Sequence, residues 1–254
     1  MGCLGLYLLS LLVQGSVWID MMGYRRSEWH TAINDYVQTN LMGRLPGGWW
    51  KFLGRVTIYR AAHISTRAIL AINLVEALLL LLAGASLLTL VILPDWPVKA
   101  ALVVVQFSIA LVLTRYLAIA VPDLKRRSAG RILLWYGAYA IAWGCGALIM
   151  YLVAIPFSSS SFQATDAVRL ATLSGIVNMA FQFLPVSLLF RDLTLFTLLD
   201  PFMSSSHAIV LIFALRLIYS VGELLSSWLV IGCVRVLQRS NPSPFPRESS
   251  DAIT

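Results

Sequence analysis

The chain has 254 residues, 59% of them hydrophobic and 12% charged, with a net charge of +7, whereas a soluble domain carries about 45–50% apolar and about 25% charged residues. With a mean hydropathy of +0.79, this composition excludes an ordinary soluble domain and places the chain in a bilayer. The basic excess falls between apolar runs, so it reads as a topology signal and a contact for anionic headgroups, not as a nucleic-acid-binding face.

The first run, 3–20, lacks the positive n-region and the small-residue cleavage site of a secretory signal peptide, so residues 1–22 are expected to be a retained first transmembrane helix. Gly2 does not make a myristoylation signal, because Leu6 stands where that motif has Ser or Thr.

Residues 23–67 differ in character. Arg25, Arg26, Arg44, Lys51, Arg55, Arg60 and Arg67 are interleaved with aromatics, which makes the stretch too polar to span. Trp29, Ile33, Val37 and Leu41 recur every fourth residue, Pro46-Gly47-Gly48 breaks the pattern, and Trp49, Phe52, Val56 and Tyr59 resume it. The expectation is two interfacial helices that dock lipid or a partner through Trp29, Trp49, Trp50, Lys51, Arg55 and Arg60.

A transmembrane bundle is expected over 68–236, with apolar runs at about 68–93, 98–121, 132–155, 167–190 and 207–236, each near or beyond the ~20 residues needed to cross the bilayer. Including the first, that makes six spans. The fold class is all-α, because lipid leaves backbone groups no partners outside helices and the alternation of a strand barrel is absent.

Glu76 on the second run and Arg115 on the third are equidistant from the Pro94–Pro97 link, which puts them at one depth on an antiparallel hairpin and predicts an ion pair. The fourth run carries stripes of small residues, Ala138, Ala142 and Gly146 with Ala140 and Gly144, that allow close helix approach. Its aromatics, Trp135, Tyr136, Tyr139, Trp143 and Tyr151, serve either core packing or a ligand groove.

Asp166 is placed to cap the fifth run, and Pro185 to kink or end it, leaving 186–206 as a candidate re-entrant or interfacial stretch. Arg216 and Glu223 on the last run each need a partner on another helix. Asn178 and Gln182 are expected to face Arg216, and Ser174 or Thr172 to lie near Glu223. The stretch LRLIYSVGEL faintly resembles the arginine-bearing helix of the stator a subunit of rotary ATP synthases, over about ten residues and without the asparagine usual after that arginine. That resemblance implies only that the arginine could work against a carboxylate.

Basic residues in 24–67, and Lys125, Arg126, Arg127 and Arg131, put two loops on one side. Six spans would place Arg235, Arg239 and Arg247 on the other, against the same rule. The tail 237–254 is expected to be disordered. No inverted repeat is visible when the two halves are compared, which argues against a secondary transporter.

Chemistry is sparse. Cys3, Cys145 and Cys233 form no CxxC pair, so neither disulfide nor zinc is expected. His30, His63 and His207 lie at or outside span ends and cannot sandwich a haem. No hydrolase, nucleotide-binding or metalloprotease motif occurs, and the best remaining cluster, Arg191, Asp192, Asp200 and His207, reads as caps and surface pairs.

The sequence reading is therefore a non-catalytic, multi-pass subunit of a larger membrane complex, energy-transducing or translocating, with an intramembrane lipid-modifying enzyme as the third choice. Its alternative is a small channel or transporter with a polar path through Glu76, Arg115, Arg216 and Glu223. No cofactor or metal is expected. A bound phospholipid is a candidate ligand, and membrane lipids and other membrane subunits are the expected partners, without nucleic acid.

Overall fold

The computed structural model describes residues 2–24, 28–43, 49–61, 63–117, 121, 127–158, 162–182, 184 and 187–240. Arg25, Arg26, Arg44, the Pro46-Gly47-Gly48 break, Lys125, Arg126, Pro185 and the tail from 241 lie outside the described residues, as do the side chains of Trp49 and Arg239.

Nine α-helices follow one another among the described residues: α1 (Gly2–Met21), α2 (Trp29–Met42), α3 (Trp49–Ala61), α4 (Thr66–Ile92), α5 (Trp96–Leu117), α6 (Ala129–Ala154), α7 (Ala164–Ala180), α8 (Ser187–Leu199) and α9 (Ser205–Ser240). Side chains start several of them. The Ser65 hydroxyl accepts from the Ala68 amide at α4, the Ser128 hydroxyl from Arg131 at α6, and Asp166 from Gln163 in a capping box at α7.

Among the described residues, five helices are long and apolar enough to cross a membrane: α1, α4, α5, α6 with the 3₁₀ turn that follows it, and α9. This is a multi-pass, all-helical membrane protein. The expected span over 167–190 is not one helix: α7 ends at Ala180, a turn follows at Phe181 and Gln182, and α8 starts at Ser187. At 1.5 Å per residue, α7 and α8 reach roughly 26 and 20 Å, short of the ~30 Å hydrocarbon layer.

In the segment after α1, α2 buries Ala32, Ile33, Tyr36, Val37 and Thr39 against α1, α3 and α9. Gly15 on α1 permits this approach, since a Cβ there would sit 2.7 Å from the Ile33 side chain and 3.0 Å from the Tyr36 ring. Helices α2 and α3 form a hairpin whose closed end brings Met42 against Gly54 and Gly43 against Lys51.

Helices α1 and α6 are antiparallel. Asp20 near the end of α1 accepts from Arg131 and Trp135 near the start of α6, while Tyr7, Ser10 and Gln14 share a cavity with Trp143, Gly146 and Ile149. The α2–α3 hairpin follows the end of α1 and the α7–α8 hairpin follows the end of α6, so the two hairpins penetrate the bundle from opposite ends. They occupy the same place in two copies of one plan, long helix, half-depth hairpin, long helix: α1–α4, then α6–α9, with α5 joining them.

Packing respects the exchange of one copy for the other. The second helix of each unit packs on the last helix of the other (α2 on α9, α7 on α4), and the first helix of each also packs on that helix (α1 on α9, α6 on α4). An inverted repeat is thus present in the packing although the residues do not display it.

This topology also removes the conflict over charge. Ala208, Leu211 and Leu215 of α9 cluster with Ile149, Met150 and Ala154 of α6, and Tyr219 reaches Gly146, so α9 runs antiparallel to α6 and ends where α6 begins. Arg235 therefore shares an end with Arg127 and Arg131. The connections at the opposite end, 93–95, 155–163 and 200–204, contain no Lys or Arg, as the positive-inside rule requires.

Candidate polar centre of the bundle

The first hairpin carries a buried ion pair. Arg55 on α3 is wholly buried, and its guanidinium grips Glu76 on α4 through both terminal nitrogens, Nη2 donating to Oε1 over 3.1 Å. Nη1 also donates to Asn73 Oδ1 over 2.6 Å, and the guanidinium lies 3.6 Å from the ring centroid of Trp18, whose indole N–H donates to the Tyr59 hydroxyl over 2.8 Å. Hydrogen bonds from both terminal nitrogens and a ring on its face hold the charge, while the buried Nε has no hydrogen-bond partner among the described residues.

Glu76 is therefore not the partner of Arg115. Helices α4 and α5 do form the expected antiparallel hairpin, where Gln106 accepts from Ser86 and donates to Thr89 over 3.1 Å, but Arg115 sits on the exposed side of the last turn of α5. Arg55, expected at the interface, is instead among the most deeply buried side chains. Of its expected companions, Trp29, Trp50 and Arg60 are exposed.

The second hairpin carries the counterpart. Asp192 on α8 accepts from Arg191 beside it, at 3.1 and 3.0 Å, and from Arg216 on α9. Glu76 is the eleventh residue of α4 and Arg216 the twelfth of α9, so each hairpin clamps the following long helix at nearly the same register, with the charges exchanged. Asn178 and Gln182 do not supply the partner of Arg216; Asp192 does. Glu223, buried on α9, accepts from Asn40 near the closed end of the first hairpin over 3.0 Å, while Ser174 and Thr172 turn back onto carbonyls of their own helix. Asp200 is exposed at the end of α8, and the ring of His207 rests against Phe157, so neither joins Asp192.

Two cavities lie among the long helices and the second hairpin. One of about 230 Å³ lies among α1, α4, α6 and α9, bounded by Ser10, Gln14, Trp143 and Tyr219. The other, about 180 Å³, lies among α6 to α9, bounded by Asn178, Arg191, Leu215 and again Trp143 and Tyr219. The Trp143 indole, anchored by its N–H to the Leu80 carbonyl at 2.8 Å, fits against Gly84 of α4 and Gly175 of α7. Tyr219 donates to the Gly146 carbonyl over 3.2 Å. The sequence reading missed this wall, because Trp143 and Tyr219 look like ordinary packing aromatics until the helices are placed. The chain matches no protein-family model, no curated protein and no solved structure.

Proposed function

We propose that the protein is a membrane transporter working by alternating access. One observation carries this reading: two short helical hairpins enter an inverted pair of units from opposite ends, and each is tied by a charged clamp to the long helix that follows it. Discontinuous helices at a repeat interface are how membrane proteins place polar groups at mid-depth without exposing backbone to lipid. Each hairpin is tied to its long helix by one charged clamp, so each can move as a body while the clamp keeps its own charges paired.

This reading retains Glu76, Arg216 and Glu223 from the channel or transporter alternative and replaces Arg115 with Arg55 and Asp192. The complex-subunit reading rests on rich packing without a reaction centre; the transport reading takes the same packing as two hairpins that move against the long helices. The test is reconstitution into proteoliposomes, with osmotic swelling followed for small organic anions, organic cations and neutral polyols. Swelling above that of protein-free vesicles for one of these classes, diminished by Gly146→Val in the cavity wall, is the expected result. No class above protein-free vesicles, with protein that is folded by circular dichroism, overturns it.

A further inference from the structure

We infer that the cavity beside Arg191 binds a short-chain organic monoanion, a carboxylate with a compact apolar body, and that this is the class of solute carried; the inference rests on the transport reading above. Three observations combine. Asp192 is shared by Arg191, whose side chain is 17% exposed, and by Arg216, at 44%, so among the described residues of this cluster two cations face one anion. Charges at this depth are stable when neutralised by a neighbour, and a single carboxylate completes the balance.

The cavity is shaped for such a solute. Arg191 and the Asn178 amide border one part, supplying N–H donors of the kind that suit a carboxylate. Met150, Ala171, Leu195 and Leu215 border the rest, offering an apolar body a place out of water. Trp143 and Tyr219 divide this space from the larger cavity next to α1. A side-chain change at those two residues would join the cavities.

The size argues for a short chain. About 180 Å³ falls below the roughly 300–1,000 Å³ of sites for drug-sized ligands. A solute of five or six carbons fits this description better than a membrane fatty acid, which shares the same headgroup chemistry.

Binding to the purified full chain in mild detergent is followed by thermal shift and by tryptophan fluorescence. The probes are 4-methylpentanoate, its neutral amide, 4-methylpentylamine, palmitate and chloride. Saturable binding of 4-methylpentanoate, at least tenfold tighter than the amide or the amine, is expected. Gly146→Val, which projects into the cavity wall with no neighbour closer than 3.8 Å to its Cβ, should weaken it tenfold without loss of helix content. Asn178→Leu, which leaves the Arg191–Asp192–Arg216 cluster intact, should do the same.

Equal binding of amide or amine, binding of palmitate alone, or a chloride effect matching that of the carboxylate each overturns the assignment. Carboxylate binding without flux would retain the site and remove the transport reading. Flux of another class without carboxylate binding would do the reverse.

Discussion

Replacing Glu76 by Gln tests the clamp of the first hairpin. The substitution keeps the shape of the side chain and removes its charge, leaving the Arg55 guanidinium at 0% exposure with Asn73 and the Trp18 ring as its remaining close partners. Breaking a buried pair by removing one charge costs about 3–5 kcal/mol, and the amide oxygen of Gln restores roughly 1 kcal/mol as a neutral acceptor. The net loss is about 2–4 kcal/mol. Because Trp18 lies against the guanidinium, thermal or denaturant unfolding in detergent can be read from tryptophan emission. The double variant Arg55→Met with Glu76→Leu, which removes both charges and keeps apolar volume, should recover most of that loss, since well-packed hydrophobes replace buried pairs at little cost. A single variant within about 0.5 kcal/mol of wild type, the usual range for a surface substitution, would refute the reasoning. So would a double variant less stable than either single one.

Two further outcomes follow from the same packing. Gly175→Ala forces a methyl group into the Trp143 ring and should cost about 1–3 kcal/mol, whereas Gly144→Ala, with nothing within 4 Å, should be neutral or stabilising by about 0.5–1 kcal/mol; comparative melting of the two checks both. Asn40→Leu takes a donor from buried Glu223 and should cost about 1–3 kcal/mol, with faster hydrogen exchange concentrated in α2.

Hydropathy made the five long helices legible, because each is a continuous apolar run of spanning length. It misread 167–190 for the same reason: a hairpin held inside a bundle is as greasy as a span, and only the turn after Ala180 separates them. One residue of the α2–α3 segment departs in the opposite direction. The segment's arginines suggested a surface, yet Arg55 is buried because Glu76, Asn73 and Trp18 enclose it. A symmetry argument could have found the pair. Arg55 and Glu76 are centred at 65.5, on the Ser65 connection between α3 and α4, just as Glu76 and Arg115 are centred on the next link, so spacing alone offered two partners and burial chose one. The inverted repeat left no trace in the residues, since equivalent packing needs only apolar and small side chains at equivalent depths, and the two charged clamps even carry reversed signs.

The claim on which the account depends is that both hairpins turn back inside the membrane, from opposite faces. In a cysteine-free background, single cysteines replacing the exposed residues Glu28, Ser65, Gln163 and Asp200, which flank the two hairpins, are labelled with a membrane-impermeant maleimide in sealed vesicles of known orientation. The account predicts that positions 28 and 65 react from one face and positions 163 and 200 from the other. Labelling of 163 and 200 from opposite faces, or of all four from one face, would contradict it.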